Sequence, residues 1–148
     1  PQIGSYLDAG MSDLTKAVES IPAYVEKASH FFAVTPYVQH RDLPSVACNY
    51  GSWLKRGWCR LEMVSLLLSR FSEMPVIVVS GPECSPHMIS PSTVIARPPG
   101  GGELTCCSRG HKLRNPDGTT RCIPCDKSKI GPVVWRLLKS KLEFVGRE

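Results

Sequence analysis

The sequence lacks any apolar run that approaches the ~20 residues of a membrane-spanning helix. Its first residue, Pro1, is not followed by the basic segment and apolar core of a secretory signal. We therefore expect a cytoplasmic protein without a membrane partner. Because the first residue is not methionine, we also expect the chain to be cut from something longer.

Aromatic residues are scarce, at 7% of the chain. The net charge is +5, which raises the question of a nucleic-acid partner. The basic segment 103–123 contains no aromatic residue, whereas single-stranded nucleic acids are bound by cations interleaved with aromatic platforms. Nucleic-acid binding is therefore only a minor alternative. Repeats are also missing, and 42% hydrophobic with 21% charged residues is typical of a globular domain with a core.

The most apolar helical pattern begins at Gly57 and meets no proline until Pro75. One polar stripe follows the spacing i, i+4, i+7, i+11 on this helix: Trp58, Glu62, Ser65 and Ser69. A buried, unpaired carboxylate is costly, so Glu62 either faces water in a cleft or pairs with Arg56 or Lys55. The alternative is a half-exposed glutamate that the positive end of the helix dipole stabilises.

Two runs rich in β-branched and aromatic residues predict buried strands, His30–Thr35 and Pro75–Ser80. A helical rhythm precedes them from residue 12 to 28, either as one helix kinked at Pro22 or as two short helices with Ser20 capping the second. Alternating helices and strands predict an α/β fold with a parallel sheet and helices on both faces.

Ligands of parallel sheets bind beyond the carboxyl ends of the strands. Those ends are Thr35 and Ser80, which we predict to contact a substrate. The loop after Thr35 leads into the helix that carries Trp58 and Glu62, so the topology places this carboxylate near the same crevice.

The segment 12–68, with its motif Trp58-Cys59-Arg60-Leu61-Glu62, resembles the later half of a Toll/interleukin-1-receptor (TIR) domain and its heterokaryon-incompatibility relatives. It is also similar to uncharacterised protist and algal proteins. The resemblance implies a partial flavodoxin-like sheet and a role in intracellular signalling. It also implies cleavage of the nicotinamide–ribose bond of NAD⁺, with Glu62 as catalytic carboxylate and Trp58 at the pocket wall. Thr35 and Ser80 would then contact the ribose or phosphate. The superfamily's first strand, first helix and second strand have no counterpart in the sequence, and a fragment lacking them is expected to be a poor enzyme.

Seven cysteines without a secretory signal favour reduced thiols or metal ligation over disulfides. The pattern Cys-Cys-x3-His-x10-Cys-x2-Cys begins at Cys106. Four of its residues can offer sulfur and nitrogen ligands to a tetrahedral Zn²⁺: Cys107, His111, Cys122 and Cys125. The alternative is a metal-free hairpin whose thiols alternate into the core. No other cofactor is predicted.

Three regions are predicted: residues 1–80 as a TIR-like half-domain, 81–102 as a Pro/Gly-rich connection, and 103–148 as an appended hairpin and terminal helix. The hairpin runs out through Leu104–Cys107, turns at Asn115–Gly118 and returns to Ile123. Two functions remain open, an NAD⁺ glycohydrolase and a non-catalytic interaction module with a protein partner or self-association.

Overall fold

The computed structural model describes residues 3–41, 44–70 and 74–146, so residues 1–2, 42–43, 71–73 and 147–148 of the predicted regions lie outside it. Within the described residues the α-helices are α1 Ile3–Lys27, α2 Tyr50–Lys55, α3 Gly57–Leu68, α4 Thr105–Ser108 and α5 Lys127–Val145. The strands are β1 Phe31–Val34, β2 Val38–Gln39, β3 Ala47–Cys48, β4 Val76–Val79, β5 His87–Ile89, β6 Lys112–Arg114 and β7 Thr120–Cys122. None of these helices has the length and hydropathy needed to cross a membrane.

Helix α1 is a single helix that continues through Pro22. Ser20 does not cap a second helix, because its hydroxyl donates to the carbonyl oxygen of Ala17 at 2.7 Å. Val18 and Val25, two turns apart, are both buried and pack into different parts of the core. This packing stabilises the helix on both sides of the proline.

The main sheet is mixed, in the order β1-β4-β5. Strands β1 and β4 are parallel, as the sequence pattern predicts, with Phe31 opposite Val76. Strand β5 lies within the stretch predicted as an irregular connection and pairs antiparallel with β4. The protein is therefore a mixed α/β structure.

Helices cover one face of this sheet. Ala33, Val76 and Val78 point to that face and pack against side chains of α1 and α3. On the other face, Phe32 and Val34 are more than half exposed. The predicted helical cover on both faces is thus present on one face only among the described residues.

Helix α3 is the centre of the core. Leu61 packs against the cluster of buried residues that α1 and α5 share, whereas Met63 and Leu66 pack against the sheet. Because different sides of α3 are buried by different elements, its apolar residues lie around most of its circumference.

Two glycines bring the Pro/Gly-rich connection against the start of α3. A Cβ atom on Gly102 would lie 2.5 Å from the Cα atom of Gly57, and one on Gly57 would lie 2.7 Å from a methyl group of Leu104. The backbone of Glu103 donates to Lys55 O at 2.7 Å and accepts from Gly57 N at 2.8 Å. This contact determines where the chain enters the segment that carries Cys106 and Cys107.

The predicted outward arm of the hairpin, Leu104–Cys107, is wrong: this segment forms the short helix α4. Its backbone N–H groups bond locally, with Cys107 N and Ser108 N both donating to Leu104 O at 3.0 Å. Gly110 and His111 then adopt left-handed conformations that turn the chain, and the hairpin begins at Lys112. The turn predicted at Asn115–Gly118 is present, with Asn115 N donating to Thr119 O at 2.8 Å.

Candidate metal centre and the predicted carboxylate site

Helix α4 presents two adjacent thiols. Leu104, directly before it, is buried in the core between α1, α3 and α5 and anchors the helix. Cys106 is buried, Cys107 is half-buried, and their Sγ atoms lie 3.9 Å apart. The two thiols therefore sit at the edge of the core and not on the solvated hairpin.

The third ligand residue, His111, is brought to these thiols by an uncommon backbone conformation. Its φ angle is +57°, a conformation that few residues other than glycine adopt. Its N–H donates to the carbonyl oxygen of Cys106 at 2.7 Å, which folds the chain back over α4. The Nε2 atom of its ring is buried and has no hydrogen-bond partner among the described residues. A buried ring nitrogen without a partner is available to a metal ion.

Cys125 comes to the same place from the other end of the hairpin. Ile123 N donates to His111 O at 2.9 Å and positions the returning chain. The backbone N–H of Lys127, at the start of α5, lowers the pKa of the Cys125 thiol to about 7, and His111 adds to this effect. Asp126 N donates to Cys106 Sγ at 3.3 Å. Hydrogen bonds of this kind stabilise thiolates.

The environment of Cys107 differs from that of Cys125. Burial, followed by its contacts with the thiols of Cys125 and Cys106, raises the pKa of Cys107 to about 11. Without a cation, three neighbouring thiols therefore resist simultaneous ionisation, because each new thiolate repels the next. A divalent cation among them would remove that repulsion.

The ligand atoms of Cys106, Cys107, His111 and Cys125 all lie within 4.8 Å of one another. Cys107 Sγ is 3.7 Å from Cys125 Sγ and Cys106 Sγ is 3.9 Å from Cys107 Sγ. With Zn–S bonds of about 2.3 Å, two sulfurs of a tetrahedral site are about 3.8 Å apart. The cluster could therefore hold a metal ion, and these two sulfur–sulfur distances are close to those of a tetrahedral zinc site.

The cluster differs from the predicted ligand set at one position. Cys107, His111 and Cys125 are brought together as predicted, but Cys106 takes the place of Cys122. Cys122 is exposed on β7, opposite Lys112. The sequence signal for Cys106 is the run Ser108-Arg109-Gly110, which favours a turn after a short helix over a continuing strand.

Glu62, the predicted catalytic carboxylate, is half-buried on α3. Burial raises its pKa and the charge of Arg56 opposes that rise. Among the described residues no cation lies within 4.0 Å of its carboxylate, so the predicted pairing with Arg56 or Lys55 is not formed as an ion pair. Glu62 is thus partly desolvated and influenced by Arg56 only at longer range.

The two serines of the polar stripe on α3 do not face solvent. The hydroxyls of Ser65 and Ser69 are buried and donate to the carbonyl oxygens of Leu61 and Leu66, each at 2.8 Å. Two clefts of about 490 and 330 Å³ are lined by residues other than Glu62.

The predicted substrate contacts lie in two different parts of the fold. Trp58 is half-buried and packs against the core cluster that contains Leu61 and Leu104. Thr35 and Ser80 follow β1 and β4 at one edge of the sheet, where Thr35 N donates to Val79 O at 2.8 Å. The Oγ1 atom of Thr35 is buried and has no hydrogen-bond partner among the described residues.

No known protein family, curated protein or solved structure matches this chain. The geometry of these two sites is therefore the basis for the proposed function. The resemblance to TIR domains stays a prediction from the motif around Glu62.

Proposed function

We propose that this chain is a non-catalytic interaction module whose C-terminal region is stabilised by Zn²⁺ bound to Cys106, Cys107, His111 and Cys125. The observation that carries the proposal is the approach of four ligand atoms from two separate segments to within 4.8 Å. Three sulfurs and one imidazole nitrogen are a ligand set typical of zinc.

The proposed role of the metal is structural. Four protein ligands complete a tetrahedral shell, whereas a catalytic zinc keeps one position for water or substrate. The ligands come from α4, from the turn before β6 and from the residue pair before α5. Zinc would therefore hold the hairpin and the start of α5 against the helix α3 that Leu104 contacts.

Metal content tests this proposal directly. The chain, purified without chelator, is expected to contain one equivalent of zinc by mass spectrometry and to give the visible spectrum of tetrahedral thiolate-bound Co²⁺ after exchange. Cys106→Ser and Cys125→Ser are expected to lose the stoichiometric metal, because each removes one of four ligands.

Cys122→Ser is the matched control, since it removes a thiol from the same hairpin and should keep one equivalent of zinc. Loss of zinc in this variant with retention in Cys106→Ser would show that the ligand set is the one predicted from spacing. A folded wild-type chain that never takes up Zn²⁺ or Co²⁺ would refute the proposal.

A second function is proposed for the helix α3 and the sheet edge: a TIR-like, flavodoxin-related signalling domain that acts as an NAD⁺ glycohydrolase. The observation that favours it is a partly desolvated Glu62 without an ion-pair partner among the described residues. A carboxylate of this kind can stabilise the oxocarbenium-like centre that forms when nicotinamide leaves. The hydroxyl of Thr35, which has no hydrogen-bond partner among the described residues, is a candidate donor to the ribose. Ser80, directly after the neighbouring strand β4, is the second candidate contact.

Nicotinamide release tests the second function. The chain is incubated with NAD⁺ at high protein concentration, and Glu62→Gln, which keeps the shape and removes the charge, is compared with wild type. Release that falls at least 100-fold in Glu62→Gln, an effect of the size expected for lost electrostatic stabilisation, would establish the activity. Glu103→Gln, an exposed glutamate, serves as control, and no release from the folded wild type would eliminate this function.

A further inference from the structure

The segment 109–129 carries a third of the lysines and arginines of the chain, six of 18, but most of its net positive charge. It contains six lysines and arginines and two aspartates, which leaves a net charge of +4 in a chain of net charge +5. A zinc centre with three thiolates adds −1, so the segment stays strongly positive when the metal is bound. The positive charge is therefore concentrated on the zinc-stabilised region.

These cations are mostly without acidic partners. Within the described residues only Lys129 of this segment forms an ion pair, with Asp126 at 3.4 Å. The cations without such a pair are Arg109, Lys112, Arg114, Arg121 and Lys127. Asp117 is turned toward its own loop, where Thr119 N and Oγ1 donate to its carboxylate at 2.8 and 2.6 Å.

The hairpin places two of the cations side by side. Cross-strand partners share a face of a β-ribbon, so the pairs Lys112 with Cys122 and Arg114 with Thr120 lie on the same face. All four residues are exposed. This face, which we call the cationic face, combines two positive charges with a hydroxyl and has no large apolar side chain.

A cleft of about 330 Å³ lies next to the metal centre, and Cys107 lines it. The exposed cations Arg56 and Lys127 also line it, together with the hydroxyl-bearing residues Thr105 and Ser108. The exposed Glu103 lines the same cleft, so two cations and one carboxylate leave a net charge of +1 there. Helix α4 connects this cleft to the hairpin, because Lys112 N donates to Arg109 O just beyond α4. The positive groups are thus spread over an extended surface and do not converge on one small anion.

We propose that the cationic face and this cleft bind the phosphate backbone of nucleic acid. The inference rests on the proposed zinc-stabilised module, which holds the hairpin and α5 in place. The lack of aromatic residues in the hairpin excludes base stacking but does not affect contacts with phosphates, which need only lysine, arginine and hydroxyl groups. A protein interface would need an apolar centre, which the cationic face does not have. Binding is therefore expected to be independent of sequence.

Fluorescence anisotropy with a labelled duplex of about 20 base pairs tests the inference, with salt varied from about 50 to about 200 mM. Wild type should bind in the micromolar range and weaken steeply as salt rises. Lys112→Gln/Arg114→Gln should flatten the slope of log K against log salt by about 1.8, since each phosphate contact contributes about 0.9.

Lys16→Gln/Lys27→Gln removes the same charge from exposed positions on α1 and should leave the slope within about 0.3 of wild type. An equal decrease of the salt slope in both double variants would show that only the net charge matters, and it would overturn the inference. Absence of duplex binding, or binding only to vesicles that contain phosphatidylserine, would also overturn it.

Zinc content is measured in every sample, which separates the two proposals. A chain that contains zinc but does not bind DNA would refute only the proposed nucleic-acid surface. If a chain without zinc binds DNA and this binding depends on Lys112 and Arg114, the nucleic-acid surface is supported. The proposed need for zinc to hold that surface in place is then refuted.

Discussion

At the scale of single residues, the features that matter are polar groups without partners. Thr35 Oγ1 and His111 Nε2 are both buried and have no hydrogen-bond partner among the described residues. Such groups are rare in folded proteins because each costs about 1–3 kcal/mol when it loses water without a replacement. For His111, the three thiols within 4.8 Å of a ring nitrogen make a shared metal ion a candidate partner of the imidazole. Thr35 belongs to no such cluster among the described residues, and we regard it as a candidate contact for a ligand at the edge of the sheet.

Thr35→Val should therefore raise the free energy of unfolding by about 1 kcal/mol, because valine keeps the shape and removes a desolvated hydroxyl. Urea denaturation of both proteins measures the difference. Thr35→Ser, which keeps the hydroxyl and loses the methyl group, should be less stable than wild type. A valine variant that is less stable than wild type would mean that the hydroxyl has a partner that stabilises the fold.

At the scale of elements, the contact between the Pro/Gly-rich connection and the start of α3 decides where the metal ligands lie. Gly102 meets the backbone of Gly57 so closely that no side chain fits between them. Immediately after this contact come Leu104 and the cysteines of α4. An element that sequence patterns describe only as irregular thus determines the geometry of the candidate metal centre.

Gly102→Ala should destabilise the protein by about 1–3 kcal/mol, because the new Cβ atom would push the connection away from the start of α3. This shift would also weaken the backbone hydrogen bonds of Glu103 with residues 55 and 57. Gly100→Ala is the matched control: a Cβ atom at Gly100 meets nothing within 4 Å, so its effect should stay within about 0.5 kcal/mol. Urea midpoints at fixed zinc concentration measure both. Equal stability of the two variants would show that the connection can move away from α3.

At the scale of the whole molecule, the chain has two centres joined by α3. One side of α3 packs on the sheet, and another side packs with α1, α5 and Leu104, next to the thiols. The predicted enzymatic site depends on the sheet edge and the start of α3, whereas the proposed zinc module depends on the region after Gly102. The two functions are therefore structurally separable, and each can fail in experiment without the other.

Local patterns in the sequence were sufficient for the main elements. The apolar run after Gly57 predicts α3, the runs ending at Thr35 and Ser80 predict the parallel pair β1 and β4, and Asn115–Gly118 predicts the hairpin turn. Each of these signals depends on the period of the side chains or on turn chemistry, which a short segment carries within itself.

Contacts between distant segments decided the rest. Cys106 replaces Cys122 in the cluster because Leu104 is buried against α3 and α5 and the chain then turns at His111, and neither event is encoded in the spacing of the cysteines. Ser65 and Ser69 are buried, although their stripe on α3 is polar, because neighbouring elements surround the helix and its own carbonyl oxygens accept their hydroxyls. Burial and partner choice depend on which segments meet in space, and only the tertiary structure determines that.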